Sequence, residues 1–219
     1  MSKSLKDKYT VENVPKVWLP LFWLYGYGLG LFMYLMMYGL SKTLRYEKIN
    51  DEEVIGRSNF IYCFWHQDLI GFYTSFINLK GFDMINHPAW FMKPVHVFSK
   101  LCGLENIYYG STGHSGRAAA DQLALSITNG KNTFIAPDGP LGPNFKLNKG
   151  VLHLSKKSGK PVLVLKFNYQ KAIRLGGWDR KYFPIPFSKV TIEYLQPLQV
   201  TDDNFDSSED QLKKQLLVA

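Results

Sequence analysis

Hydrophobic and polar positions divide the chain into two differently patterned parts. Residues 17–40 contain no charged side chain, and roughly 20 apolar residues are enough for a helix to cross the hydrocarbon core of a membrane. Pro20 and the alternating glycines Gly26, Gly28 and Gly30 also suit a helix that bends or lies at the interface. We therefore expect a retained membrane-associated helix, and both the spanning and the half-inserted form stay open.

Short apolar runs alternate with helical stretches after Asn50, which is the pattern of an α/β domain. Helices are predicted at residues 117–129 and 151–158, because Gly130 and Gly159 follow as C-terminal stops. Strands are predicted at residues 61–65, 95–98, 106–109, 133–136, 162–167 and 190–194. The expected fold class is α/β, with a mixed, mostly parallel sheet flanked by helices and an N-terminal membrane-associated helical segment.

Three segments follow from this pattern. Residues 1–50 form the membrane-associated helical segment, and residues 51–200 form the α/β domain. Residues 201–219 form a polar C-terminal tail with a short helix, which we expect to be a solvated surface element. A chain of 219 residues suits a single catalytic domain.

The net charge and the positions of the cysteines limit which partners and which kinds of site are expected. The 26 Lys and Arg against 18 Asp and Glu give a formal charge of +8, which suits an anionic membrane surface or phosphate-bearing substrates. The aromatic and basic residues form no RNA-stacking motif, so nucleic acid is not expected as a partner. Cys63 and Cys102 lack metal-ligand spacing and are expected to be buried thiols, with no metal site.

His66 is the first candidate for chemistry. It directly follows an apolar strand in the sequence FWHQD, at residues 64–68. A histidine at the end of a buried strand is well placed to act as a base, because its ordinary pKa lies near 6.5. A structural role is the alternative for a lone histidine.

Two loops support a catalytic role for His66. The sequence GSTGHSG at residues 110–116 lies between a predicted strand and helix, so its N–H groups suit an anion; an ordinary helix-capping turn is the alternative. In APDGPLGP at residues 136–143, three prolines stiffen a turn that begins at Asp138. A stiff turn at the end of a strand fixes a carboxylate in place. An ordinary connecting turn without a role in catalysis is the alternative.

The order and spacing of these segments resemble the lysophospholipid acyltransferase superfamily. The residues that carry the resemblance are FWHQDLI at 64–70, GSTGHSGRAA at 110–119 and the stretch from APDGPLGP to VLVLKF at 136–167. The likeness is greatest to a bacterial branch long labelled only as a domain of unknown function, and it covers roughly residues 55–170. The resemblance implies that residues 51–200 are an acyltransferase-like domain.

The resemblance implies the transfer of an acyl group from acyl-CoA or acyl carrier protein, as co-substrate without a cofactor, to a hydroxyl of a membrane lipid. The acceptor is then a lysophospholipid or a lipid A-like glycolipid, and the protein lies on the cytoplasmic face of the bacterial inner membrane. The motif histidine corresponds to His66, the expected general base, and Asp138 stands where the family has a glutamate. The remaining candidates bind substrate or the oxyanion: Ser111, Thr112, Arg117, Gly139, Lys146 and Lys149.

The sequence also departs from the family pattern. Gly71 stands five residues after His66, where the family has an Asp that orients the imidazole. We expect another carboxylate to replace it, first of all Asp138, or none to do so. Tyr109 and Leu141 stand where phosphate-holding arginines are usual.

Other classes of protein stay open. A catalytically inactive lipid-binding or scaffold protein of the same fold is the main alternative, because the orienting Asp and the arginines are missing. A serine hydrolase is a weaker one, since the residues around Ser115 do not form a Gly-x-Ser-x-Gly elbow.

Overall fold

The computed structural model describes residues 9–54, 59–110 and 116–217. They fall into two compact units: one contains Ile77–Leu123 and the residues up to Gly39, and the other contains Leu40–Phe76 and the residues from Ala124 onward. The candidate His66 belongs to the second unit.

The helices begin and end as follows in the described ranges. The α-helices are α1 (Leu19–Trp23), α2 (Leu29–Thr43), α3 (Leu69–Ser75), α4 (Lys93–Leu101), α5 (Gly116–Thr128), α6 (Gly150–Ser158) and α7 (Phe205–Leu217). Shorter helical turns are the 3-10 segments Lys16–Trp18, Asp51–Glu53, His66–Asp68 and Trp90–Met92 and the π-helical segment Leu24–Gly28.

The strands form one five-stranded sheet and two strand pairs. They are β1 (Arg45–Ile49), β2 (Ile61–Cys63), β3 (Asp83–Asn86), β4 (Asn106–Tyr109), β5 (Thr133–Ile135), β6 (Val162–Tyr169), β7 (Ala172–Arg174), β8 (Tyr182–Pro184) and β9 (Lys189–Tyr194). The large sheet has the order β1-β9-β6-β2-β5; β3 pairs with β4 and β7 with β8.

The five-stranded sheet confirms the predicted fold class. All of its neighbouring strands are parallel except β6 and β9. The central strand β2 is paired on both sides, since Ile61 is opposite Thr133 of β5 and Val162 of β6. Its three residues are all buried, which is usual for a parallel strand with both faces covered. The carboxyl end of β2 leads directly to His66.

Most predicted elements are confirmed, but the strand predicted at residues 95–98 is wrong, because these residues lie in α4. A short apolar run is equally compatible with a buried strand and with one face of a helix. Pro94, at the first turn of α4, suits a helix start. The N-terminal helical segment was predicted to include Arg45–Ile49, but these residues form the edge strand of the sheet. The predicted domain bounds stay a prediction.

The N-terminal helical segment Lys16–Thr43 is, in the described part of the chain, the one helix long and apolar enough to cross a membrane by length and composition. Gly26 and Gly30 face α4 within their own unit. A Cβ atom at Gly30 would lie 2.7 Å from the Val97 Cβ, and one at Gly26 would overlap the Lys93 side chain. Both glycines therefore allow two helices to approach closely, as small residues do at helix interfaces.

The C-terminal helix α7 corrects the expectation of a solvated tail. Leu212 is fully buried and Leu216 nearly so. The indole Nε1 of Trp65 donates a hydrogen bond of 3.0 Å to the Leu216 carbonyl oxygen. The tail therefore packs on the second unit, next to the residue that precedes His66.

Candidate active site

His66 lies where β2 ends and the short helix His66–Asp68 begins. Its backbone N–H donates a hydrogen bond of 3.0 Å to Oδ1 of Asp138, in the turn that follows β5. Because β2 and β5 are parallel neighbours, their carboxyl ends meet at the same edge of the sheet. The side chain of His66 is 18% exposed, so the ring is largely desolvated and still open to a substrate.

The imidazole of His66 is held by Asp179, which the sequence analysis did not single out. Nδ1 of His66 lies 2.6 Å from Oδ2 of Asp179, in the loop between β7 and β8. Lys181 donates to the same carboxylate oxygen. Asp179 is only 3% exposed, so its carboxylate is fixed by these two partners rather than by water.

The electrostatics of this pair favour a neutral imidazole. Burial lowers the pKa of His66 and the charge of Lys181 lowers it further, whereas Asp179 acts in the opposite direction. Burial alone would raise the pKa of Asp179, but the hydrogen bonds from Lys181 and His66 lower it below its ordinary value. An ionised Asp179 can only accept, so Nδ1 carries the proton and Nε2 keeps a free lone pair. This is the protonation state of a general base.

Asp138 contacts a different part of His66 from the one expected. Its carboxylate contacts the backbone N–H of His66 and not the ring, so the expectation that Asp138 orients the imidazole is wrong. Burial raises the pKa of Asp138 to about 6, although hydrogen bonds from backbone amides, that of His66 first, lower it. Its Oδ2 is buried without a hydrogen-bond partner. Asp138 therefore fixes the main chain at His66.

A second buried acid lies two residues after His66. The Tyr169 hydroxyl donates a hydrogen bond of 3.1 Å to Oδ1 of Asp68. Burial raises the pKa of Asp68 to about 7, against the lowering effect of its hydrogen bonds with Tyr169 and Gln67. Asp68 is thus partly protonated near neutral pH and is held by Tyr169, whereas Asp179 holds the ring of His66.

The proline-rich turn supports the site from one side. Gly142 has a φ of 67°, and a Cβ atom there would overlap the indole of Trp178. The Trp178 ring in turn lies 5.1 Å from the His66 ring, centroid to centroid. The turn and the β7–β8 loop therefore pack together around the histidine.

Of the other predicted site residues, Gly139, Lys146 and Lys149 belong to the same unit as His66. The N–H of Gly139 donates a hydrogen bond of 3.0 Å to the Ala136 carbonyl oxygen. Lys149 pairs with Glu209 of α7 at 2.5 Å, and Lys146 is exposed. Arg117 is exposed on α5, in the first unit. Ser111 and Thr112 lie outside the described residues, and the substrate-binding roles stay predictions.

A cleft of about 510 Å³ opens between β6 and the β7–β8 hairpin. Tyr169 and Tyr182 contribute to its walls, and their rings are 4.8 Å apart. His66 and Asp179 are not among the lining residues. In the described ranges, no group of three or more His, Cys, Asp or Glu side chains is arranged to hold a metal ion.

Comparisons with known proteins place this geometry in context. No family model matches the chain. An uncharacterized protein of Rickettsia prowazekii (strain Madrid E) is 26% identical over 176 residues, which are 79% of this chain and 80% of that protein. The crystal structure of the 1-acyl-sn-glycerophosphate (LPA) acyltransferase PlsC from Thermotoga maritima superposes with a TM-score of 0.53 and 18% identity, covering 93% of this chain and 99% of that one. The chain shares the fold of PlsC.

Within the PlsC fold, the residues that sequence reasoning missed lie on one hairpin. Trp178, Asp179 and Lys181 belong to the β7–β8 connection, downstream of the segments that carried the resemblance. The adjacent glycines Gly176 and Gly177 indicated a tight turn there. They gave no sign of which distant residue the turn would contact.

Proposed function

We propose that the chain is a membrane-associated O-acyltransferase that moves a fatty acyl group from acyl-CoA or acyl carrier protein to a lipid hydroxyl. The contact between His66 Nδ1 and Asp179 Oδ2, in a chain with the fold of PlsC, is the observation that carries this proposal. PlsC itself is an acyltransferase acting on 1-acyl-sn-glycerophosphate.

The proposed chemistry is general-base catalysis by the His66–Asp179 pair. Nε2 of His66 removes the proton of the acceptor hydroxyl while its oxygen attacks the thioester carbon. The C–S bond then breaks, the thiol leaves with the proton that His66 returns, and an ester remains on the acceptor. Asp179 stabilises the imidazolium formed in between, as a carboxylate does beside a catalytic histidine. Such base assistance is worth about a hundred- to ten-thousand-fold in rate.

Two features support a lipid acceptor at a membrane. The helical segment Lys16–Thr43 exposes large apolar side chains, Val17 and Leu24 among them. The formal charge of +8 suits an anionic surface on the cytoplasmic side of the bacterial inner membrane. Within this class we propose a lysophospholipid or a lipid A-like glycolipid as acceptor.

An inactive scaffold of the same fold is the alternative, because the orienting Asp and the phosphate-holding arginines are missing from their usual positions. Asp179 answers the first of these two grounds, since it supplies a buried carboxylate to the ring. This contact favours the active enzyme.

The test is mass spectrometry of phospholipids and glycolipids from cells that carry the wild-type protein or His66→Ala. Loss of one acyl chain from a single lipid class in the variant would support the enzyme and name the acceptor. Identical profiles, with both proteins present at equal amounts in the membrane, would support the scaffold instead.

A further inference from the structure

The β7–β8 hairpin, which supplies Asp179, carries more basic than acidic side chains. Residues 171–184 contain four basic side chains, whereas Asp179 is the one acidic side chain. Asp179 is already engaged by His66 and Lys181. Across the described residues, no carboxylate pairs with Arg174 or Arg180. Neither arginine therefore has a salt-bridge partner among the described residues, although the charge of Arg174 lowers the pKa of the nearby buried Asp68.

The direct contacts of Arg174 are with neutral groups, and they hold its guanidinium in a fixed orientation. Its guanidinium lies 3.7 Å from the centroid of the Tyr182 ring, and it also donates to the Tyr182 hydroxyl. A second nitrogen, Nη1, donates to Oε1 of Gln67 and to the carbonyl oxygen of Arg180, both at 3.2 Å. A stacked, preoriented guanidinium loses little freedom when it binds a planar or tetrahedral anion. It also keeps further N–H donors, since arginine has five.

The contacts of Arg174 place it beside the catalytic pair. Gln67 is the residue after His66, and Arg180 is the residue after Asp179. Arg174 therefore bridges the two segments that hold the base and its orienting carboxylate. The Tyr182 ring beneath it is also a wall of the 510 Å³ cleft. An anion bound by Arg174 would lie beside the His66–Asp179 pair and at the edge of the cleft.

We propose that Arg174 binds a phosphate group of a substrate beside His66. The proposal rests on the proposed function, because it assigns this phosphate to an acyltransferase substrate. Two sources share the chemistry: the phosphates of a CoA-type donor and the phosphate of a glycerophosphate-type acceptor. Arginine matches phosphate oxygens with paired N–H donors, which lysine does not do.

The test is isothermal titration calorimetry on the full-length protein in an uncharged detergent, with two pairs of probes. Coenzyme A is compared with phosphate-free pantetheine, and glycerol 3-phosphate is compared with glycerol. Arg174→Gln is expected to weaken binding of one phosphate-bearing probe by about tenfold or more, as the loss of a charge-assisted hydrogen bond does. The affected probe identifies the donor or the acceptor as the source.

Arg45→Gln is the matched control, because Arg45 is an exposed arginine on the edge strand β1. It removes the same charge and should leave both affinities unchanged. The proposal is overturned if Arg174→Gln binds as the wild type does, if Arg45→Gln causes an equal loss, or if the wild type does not prefer either phosphate-bearing probe. His66→Ala should retain the phosphate preference, so this result is independent of whether His66 catalyses acyl transfer.

Discussion

Nδ1 of His66 lies 2.6 Å from Oδ2 of Asp179, across 113 residues of sequence. The hydrogen bond joins the end of a central strand to the loop of a peripheral hairpin. It fixes the ring with Nε2 unprotonated, which is the form that can remove a proton from a hydroxyl.

Asp179→Asn should lower the rate of acyl transfer by about a hundred- to ten-thousand-fold. An amide can still accept from Nδ1, but it has no charge to stabilise the imidazolium. Steady-state kinetics of the purified protein would measure this loss, which should fall mainly on kcat. Asp202→Asn, which removes an exposed carboxylate, is the control; equal activities of the two variants would contradict the role of Asp179.

Lys181→Met should raise the pKa of His66, because the charge of Lys181 lowers it. The neutral imidazole is the active form, so activity falls as the pH drops through this pKa, and the acid limb of the kcat/KM profile should move to higher pH. NMR titration of the His66 ring signal, assigned with His66→Ala, measures the pKa directly. A midpoint equal to or below that of the wild type would show that Lys181 does not act on the ring.

Asp68→Asn should raise the Tm more at pH 8 than at pH 5. Burial raises the folded-state pKa of Asp68 to about 7, from an ordinary value of 3.8. The folded protein therefore binds more protons than the unfolded chain between these values, and the free energy of unfolding falls as the pH rises through this window. The variant lacks this dependence.

Differential scanning fluorimetry at the two pH values would measure the gain, at about 2–4 °C for each kcal/mol in a chain of this size. Asp202→Asn again provides an exposed control. A gain that is equal at pH 5 and pH 8 would mean that Asp68 is ionised in the folded protein throughout.

Gly71→Ala should destabilise the protein because Tyr169 already occupies the space. A Cβ atom at Gly71 would overlap the Tyr169 hydroxyl and approach Phe167 Cδ1 to 3.1 Å. Overpacking of this kind costs about 1–3 kcal/mol. The cost should shrink in a Tyr169→Phe background, which chemical denaturation of all four members of a double-mutant cycle would reveal. If the two substitutions have purely additive effects on the free energy of unfolding, the Tyr169 hydroxyl does not limit the space at position 71.

The same contact explains part of what sequence reasoning missed. A side chain at position 71, where an orienting Asp was sought, has no room beside Tyr169, and the ring is held instead from the β7–β8 loop. Local patterns predicted β2, β6, α5 and α6 because burial and glycine stops act within a few residues. Which distant loop meets His66 depends on the path of the whole chain, and no local pattern encodes it.

General-base catalysis by His66 is tested by thiol release from acyl-CoA, measured with purified wild-type protein and His66→Ala in the presence and absence of lysophospholipid or glycolipid acceptors. The wild type should release thiol only when an acceptor is present, and the variant should lose about a hundred- to ten-thousand-fold of this activity with an unchanged Tm. Acceptor-dependent release by His66→Ala at the wild-type rate would contradict His66 as the base.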